Sequence, residues 1–263
     1  HVDAGKTTLA ESILYVSGKI RKLGRVDHKD AFLDNYELER SRGITIFFYL
    51  SEIQLGNKSI TLLDTPGHVD FSADMERSLQ VLDYAILVIS GSDGVQGHVQ
   101  TLWKLLERYE IPTFVFINKM DQPDTNKEAL LKELRKRLDK NCVDFSADVQ
   151  FMNSVYLDVD DFKDSYSDEF IEQIAECDEM LLEKYLEEER ISVPDIQNAI
   201  NARKLFPCFF GSALKLQGID AFLNGIDKYS VVPQYSEVFG AKVFKISRDK
   251  QGARLTHLKI TGG

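Results

Sequence analysis

A chain of 263 residues, 43% of them hydrophobic, carries enough apolar material for one large domain and part of another, yet no apolar run reaches the ~18–20 residues that cross a bilayer. Its cysteines, Cys142, Cys177 and Cys208, are odd in number and widely spaced, which argues against a disulfide framework or a CxxC metal site and suggests reduced cytosolic thiols. The net charge of −10 is local: residues 158–190 hold 14 Asp/Glu against 3 Lys/Arg, so the rest is close to neutral and a partner rich in RNA remains compatible.

The chain opens inside a phosphate-binding loop. His1-Val2-Asp3-Ala4-Gly5-Lys6-Thr7-Thr8 fits GxxxxGK[ST] apart from its first residue, which would precede His1. Gly5 lets successive N–H groups turn into one concavity. Lys6 adds a positive charge beside the β- and γ-phosphates, and the Thr7 hydroxyl is placed to ligate Mg²⁺. A helix starting at Lys6, with Leu9, Ile13 and Leu14 on its apolar side, aims its positive dipole end at the anion. Such a loop needs a buried strand in front of it, and no initiator Met is present. A longer protein is therefore expected, continuing past the strand-like run Leu255 to Ile260 and Gly262-Gly263.

Ile44 to Gln54 and Ser59 to Leu63 flank a Gly56-Asn57-Lys58 turn and predict a hairpin. Tyr84 to Ser90, Pro112 to Ile117 and Phe206 to Phe210 are continuous apolar runs, as buried parallel strands are. Between them, Val99 to Tyr109, Lys127 to Leu138 and Ile219 to Tyr229 have helical spacing, as do Phe170, Ile174, Cys177, Leu181 and Tyr185 within Ser167 to Arg190. That last stretch predicts one amphipathic helix whose acids form a solvated face rather than a docking face. Ser230 to Gln234 predicts a linker, and Ala241 to Ile246 with Arg254 to Ile260 a hairpin opening a β-rich second domain. The alternation of strands and helices predicts an α/β fold, a mostly parallel sheet with helices on both faces.

Three further strings follow predicted strands. Asp64-Thr65-Pro66-Gly67-His68 leaves the strand ending at Leu63, so Asp64 can hold a water on Mg²⁺ while the Gly67 N–H faces the γ-phosphate. In Asn118-Lys119-Met120-Asp121, the Asp121 carboxylate can accept from both N1–H and the 2-amino group of guanine, a pair that adenine lacks; the Lys119 stem can pack over the base. In Gly211-Ser212-Ala213, the Ala213 N–H is expected to contact the guanine O6. Each string alone suits a turn. Together, in one order and each after a strand, they point to a P-loop hydrolase of guanosine triphosphate.

The strings HVDAGKTT (1–8), LDNYELERSRGITI (33–46), DTPGHVDF (64–71), INKMDQ (117–122) and GSALKLQGI (211–219) resemble the translational elongation-factor GTPases. Within that family the chain is most similar to the tetracycline-resistance ribosomal protection proteins, with elongation factor G close behind. Asp34-Asn35 and the roughly 90 residues between Asp121 and Ser212 favour the protection branch; Phe47-Phe48-Tyr49 departs from both patterns. The resemblance implies a P-loop GTPase domain over residues 1–230 with a small helical insert at about 140–204, then the start of a β-barrel second domain over 231–263. It implies GTP/GDP and Mg²⁺ as ligands, with Thr7, Thr45 and, through water, Asp64 at the metal, and a monovalent cation near Asp3. It implies that His68 orients the attacking water, gated by the apolar pair Val2 and Ile44. His1, His28, His98 and His257 are expected to carry no chemistry, although His1 lies in the loop. The implied partner is the ribosome, its RNA and proteins, with no membrane and no DNA, in the cytoplasm. Two rivals follow: an elongation factor G-like translocase and a non-hydrolysing GTP-binding scaffold.

Overall fold

Two antiparallel hairpins and one parallel sheet hold the strands of the computed structural model, which describes residues 3–24, 49–65, 72–146, 167–188, 190–248 and 251–263. In chain order the elements are α1 (Lys6–Val16), β1 (Tyr49–Leu55), β2 (Lys58–Asp64), α2 (Ser72–Leu79), β3 (Ala85–Ser90), α3 (Gly97–Arg108), β4 (Thr113–Asn118), α4 (Lys127–Arg137) and β5 (Cys142–Asp144). They continue as α5 (Asp168–Ala175), α6 (Glu179–Glu188), α7 (Val193–Asn201), β6 (Phe206–Phe210), α8 (Ile219–Tyr229), β7 (Gly240–Arg248) and β8 (Arg254–Gly262).

The central sheet runs β3-β4-β6-β5, with every pair parallel. β4 and β6 are buried at every position, which is why they read as unbroken apolar runs. Period-two alternation sends Phe114, Phe116, Val143 and Phe209 to one face, where α1, α5, α7 and α8 supply Leu9, Ile174, Ile200 and Phe222. Val115, Ile117, Phe206 and Cys208 go to the other, against Val99 and Trp103 of α3 and Leu130 and Leu134 of α4. Phe222 stands 5.0 Å from Phe116 and 5.3 Å from Phe209, centroid to centroid, so one ring fixes α8 across two strands. Truncating a ring buried this way costs about 3–5 kcal/mol.

β1 and β2 form a separate hairpin, from Tyr49↔Asp64 at its open end to Leu55↔Lys58 at the turn. Lys58 holds this hairpin to the end of α8: its ammonium donates to the carbonyls of Asp227 and, at 2.8 Å, Ser230, where the helix dipole is negative. Residues 44–48 of the predicted first strand lie outside the described residues.

One expectation fails. The acidic stretch is two helices, α5 and α6, broken at Glu176 to Asp178. The Cys177 carbonyl, which a continuous helix would bond to its next turn, instead accepts from the Asn141 side chain at 2.9 Å. The same amide reaches the Lys204 carbonyl at 2.8 Å, so the break is fastened to the strand before it and the turn after α7. The apolar period runs in phase across the break and gives no sign of it. Three elements were not anticipated: α2; β5, which joins the edge of the central sheet; and α7, which opens on a capping box between Ser192 and Asp195.

The β7–β8 hairpin pairs Lys242 with Lys259 across its strands. Like charges so placed repel, and both ammoniums find acceptors beyond α2: Lys242 at the Gln80 carbonyl, 3.1 Å, and Lys259 at the Val81 carbonyl, 2.9 Å, and the Asp83 carboxylate. All three cysteines are free thiols, and burial pushes Cys177 up to about 12. Among the described residues no helix is long and apolar enough to cross a membrane.

Candidate functional site

The phosphate-binding loop enters α1 through two left-handed residues, Asp3 at φ 58° and Gly5 at φ 86°. Gly5 is required twice over. A Cβ there would be strained by its φ and would meet the Asn118 Nδ2 atom at 2.4 Å. No side chain caps α1 at Gly5, so the helix end faces the site with its own backbone dipoles.

Lys6 and Thr7 occupy the first turn, and Asp64 ends β2 beside them. The Thr7 hydroxyl donates to Asp64 Oδ2 at 3.0 Å, and both residues are buried. Burial pulls the Lys6 ammonium below its ordinary value, against the opposing fields of Asp64 and Asp3. A polyphosphate beside it would restore that charge. A hydroxyl and a carboxylate in contact are hard oxygen donors, and they fit a magnesium ion that completes its shell with water and phosphate oxygens.

Asn118 closes the other half of the site. It stands at the carboxyl end of β4, 3% exposed, and makes two hydrogen bonds in opposite directions. Its Nδ2 donates to the Ala4 carbonyl at 2.9 Å, and its Oδ1 accepts from the Ala213 N–H at 2.9 Å. One amide therefore locks the phosphate loop, the NKMD loop and the GSA turn together. The Ala213 N–H expected at the guanine O6 is engaged within the protein by this bond. Ser12 of α1 adds a second tie, its hydroxyl lying 2.7 Å from the Thr8 carbonyl and 2.8 Å from that of Ala213.

The GSA turn is narrow. Ser212 and Gln217 exchange backbone hydrogen bonds at 3.0 Å in each direction, and a Cβ on Gly211 would meet the Gln217 oxygen at 2.2 Å. The Met120 N–H donates to the Gly211 carbonyl at 3.0 Å, tying this turn to the NKMD loop, where Lys119 adopts φ 64°. Asp121 receives a hydrogen bond from Ser212 and an ion pair from Lys215 Nζ at 3.2 Å from its Oδ2. Ser212 contributes most to holding the Asp121 carboxyl below the usual carboxylate range, with Lys215 adding to it against burial.

The structure thus gathers Asp3, Ala4, Gly5, Lys6, Thr7, Thr8, Asp64, Asn118, Lys119, Asp121, Ser212 and Ala213 at one end of the fold, with Thr65 half-buried at the foot of β2. His1, Val2, Ile44, Thr45, Pro66, Gly67 and His68 lie outside the described residues. Ser12 and Lys215 were missed by sequence reasoning. Ser12 follows Thr8 by one helical turn and is flanked by Tyr15, so neither it nor Lys215 stood out in the sequence.

Residues 1–231 match the family described as the elongation factor Tu GTP binding domain. The chain is 36% identical over 272 residues to the tetracycline resistance protein TetP of Clostridium perfringens, covering all of this chain and 41% of that protein. A crystal structure from Thermus thermophilus is similar over 100% of this chain and 44% of its own, at a TM-score of 0.84 and 24% identity, a likeness of fold alone. The chain therefore spans about two fifths of the length of the curated relative it matches. A phosphate loop, a carboxylate at the end of β2 and a guanine-type NKMD loop braced by one asparagine agree with that match along nearly the whole sequence, and the chain belongs to the elongation factor Tu GTP-binding domain family.

Proposed function

We propose that this chain is the GTP-binding and GTP-hydrolysing part of a cytoplasmic, ribosome-associated factor of the tetracycline-protection type. The observation that carries the reading is the Asn118 junction, where the loop for phosphates and the loops for a base become one rigid body. The similarity to TetP supports the protection branch. Residues 1–230, including an insert at about 140–204, would form the nucleotide domain and 231–263 the start of a β-barrel domain.

In this reading Lys6 and the α1 N-terminus bind the β- and γ-phosphates, Thr7 and Thr45, with Asp64 through a water, would hold magnesium, and Asp121 selects guanine. Magnesium, when bound, offsets phosphate charge. His68 orients a water for in-line attack at the γ-phosphorus; the bond to the bridging oxygen breaks and GDP leaves with its electrons. Val2 and Ile44 hold His68 away until the ribosome moves it inward, and Asp3, exposed at the loop, is the proposed seat of a monovalent cation. Loss of the γ-phosphate would release the segment around Thr45 and let the factor leave the ribosome.

The test is GTP turnover by the full-length protein with and without ribosomes. Strong ribosome stimulation that is lost in His68→Ala is expected; an equal rate with and without ribosomes would overturn the reading. Tetracycline tolerance in a sensitive host separates protection from translocation, which would instead support peptide synthesis without the host's own elongation factor G.

A further inference from the structure

The turn between Gly211 and α8 does more than close the base site. It is folded tightly enough to deliver one particular side chain. The Ser212–Gln217 backbone pair and the left-handed Leu216, φ 57°, reverse the chain, and the Lys215 N–H donates to Ser212 Oγ at 3.4 Å. That reversal brings Lys215 Nζ to 3.2 Å from Asp121 Oδ2. The Asp121 side chain is 19% exposed and that of Lys215 54%, so the ammonium approaches from the solvent side. Among the described residues Lys215 is the charged side chain that reaches Asp121; Lys119 and Asp124 flank it on its own loop.

We propose that Lys215 is a positioning residue for guanine recognition, pinning the Asp121 carboxylate from the solvent side so that its remaining lone pairs face the base. A carboxylate offers about four acceptor sites. Ser212 and Lys215 use some of them from one turn, which leaves a paired edge for two N–H groups of a guanine ring. An unpinned aspartate would have to give up rotational freedom each time a base enters, and would be protonated more easily. This inference rests on the guanine-nucleotide reading of the site.

The test uses the full-length protein, fluorescent GDP with magnesium, and the variants Lys215→Gln and Lys215→Arg. At low salt Lys215→Gln is expected to weaken GDP binding about two- to fivefold, the range of a partly exposed ion pair. The deficit widens toward acid, because Asp121 then protonates at higher pH. It narrows near 1 M salt, where the screening length falls to about 3 Å. Lys215→Arg restores binding. In an Asp121→Asn background, Lys215→Gln leaves the affinity for xanthosine diphosphate unchanged. A Lys215→Gln protein with wild-type affinity and an unmoved acid limb overturns the proposal. So does a deficit independent of pH and salt, or loss of a cooperative melt, either of which marks a structural residue. A wild-type protein that binds ADP as well as GDP overturns the guanine reading itself, a separate outcome.

Discussion

Replacing Asn118 with alanine removes one side chain and strands two backbone groups. The Ala213 N–H and the Ala4 carbonyl both belong to fully buried residues, and both lose a partner now 2.9 Å away. Each buried group left unpaired costs about 1–3 kcal/mol, so Asn118→Ala is expected to lose roughly 2–6 kcal/mol. At about 2–4 °C per kcal/mol for a domain of this size, the melting temperature should fall by about 4–24 °C. Nucleotide affinity should fall with it, at least about tenfold, because the phosphate and base loops no longer share a rigid joint. Thermal melts and titration with fluorescent GDP read both effects. Asn118→Asp sharpens the test: it keeps an acceptor for Ala213 but turns a carboxylate toward the Ala4 carbonyl. Burial and that carbonyl raise the new group's folded pKa above its unfolded value, so its deficit against wild type narrows as the pH falls. An Asn118→Ala protein that melts within about 1 °C of wild type and binds GDP normally would refute the bracing argument.

Other outcomes follow from the same geometry. Gly5→Ala must hold φ 86° and displace the Asn118 amide, so it should lose about 1–3 kcal/mol and most nucleotide binding; an unchanged melt and Kd would contradict this. Thr7→Ala should shrink the gain in GTP affinity on adding magnesium by about tenfold, measured against EDTA; an undiminished gain would remove Thr7 from the metal. Asp195 is held below the usual carboxylate range: burial works to raise it, but the Lys184 contact at 2.6 Å and the Ser192 hydrogen bonds outweigh that. Its folded pKa is the lower one, so its stabilisation is present above about pH 4, the unfolded value, and is lost as the pH falls through the folded pKa. Asp195→Asn should therefore melt below wild type at pH 7 and converge with it in acid; a pH-independent difference would contradict the assignment.

Much of this was legible because the residues that build the site also punctuate the fold. Strands buried on both faces, such as Thr113–Asn118 and Phe206–Phe210, have a composition that nothing else explains, and each loop carrying chemistry follows directly. What escaped was set by tertiary contact or by brevity. The α5–α6 break depends on an amide from Asn141, 36 positions away, which no local pattern encodes. β5 is three residues long, too short for any period, and exists because β6 offers it an edge. α7 had its signal, Ser192 and Asp195 around Pro194, obscured by the acidic run before it. The Asn118 bridge was the largest surprise: the motif marked the residue, but only the fold shows its amide spent on the protein, with the Ala213 N–H engaged as well.

The central claim, that strand-end loops grip a guanosine nucleotide through Asp121, is tested most directly by competition against bound fluorescent GDP in magnesium. Unlabelled GTP should displace it at far lower concentration than ATP, and in Asp121→Asn the preference should pass from guanosine to xanthosine nucleotides. If ATP displaces it as readily as GTP, or Asp121→Asn leaves the preference for guanosine intact, the account is wrong.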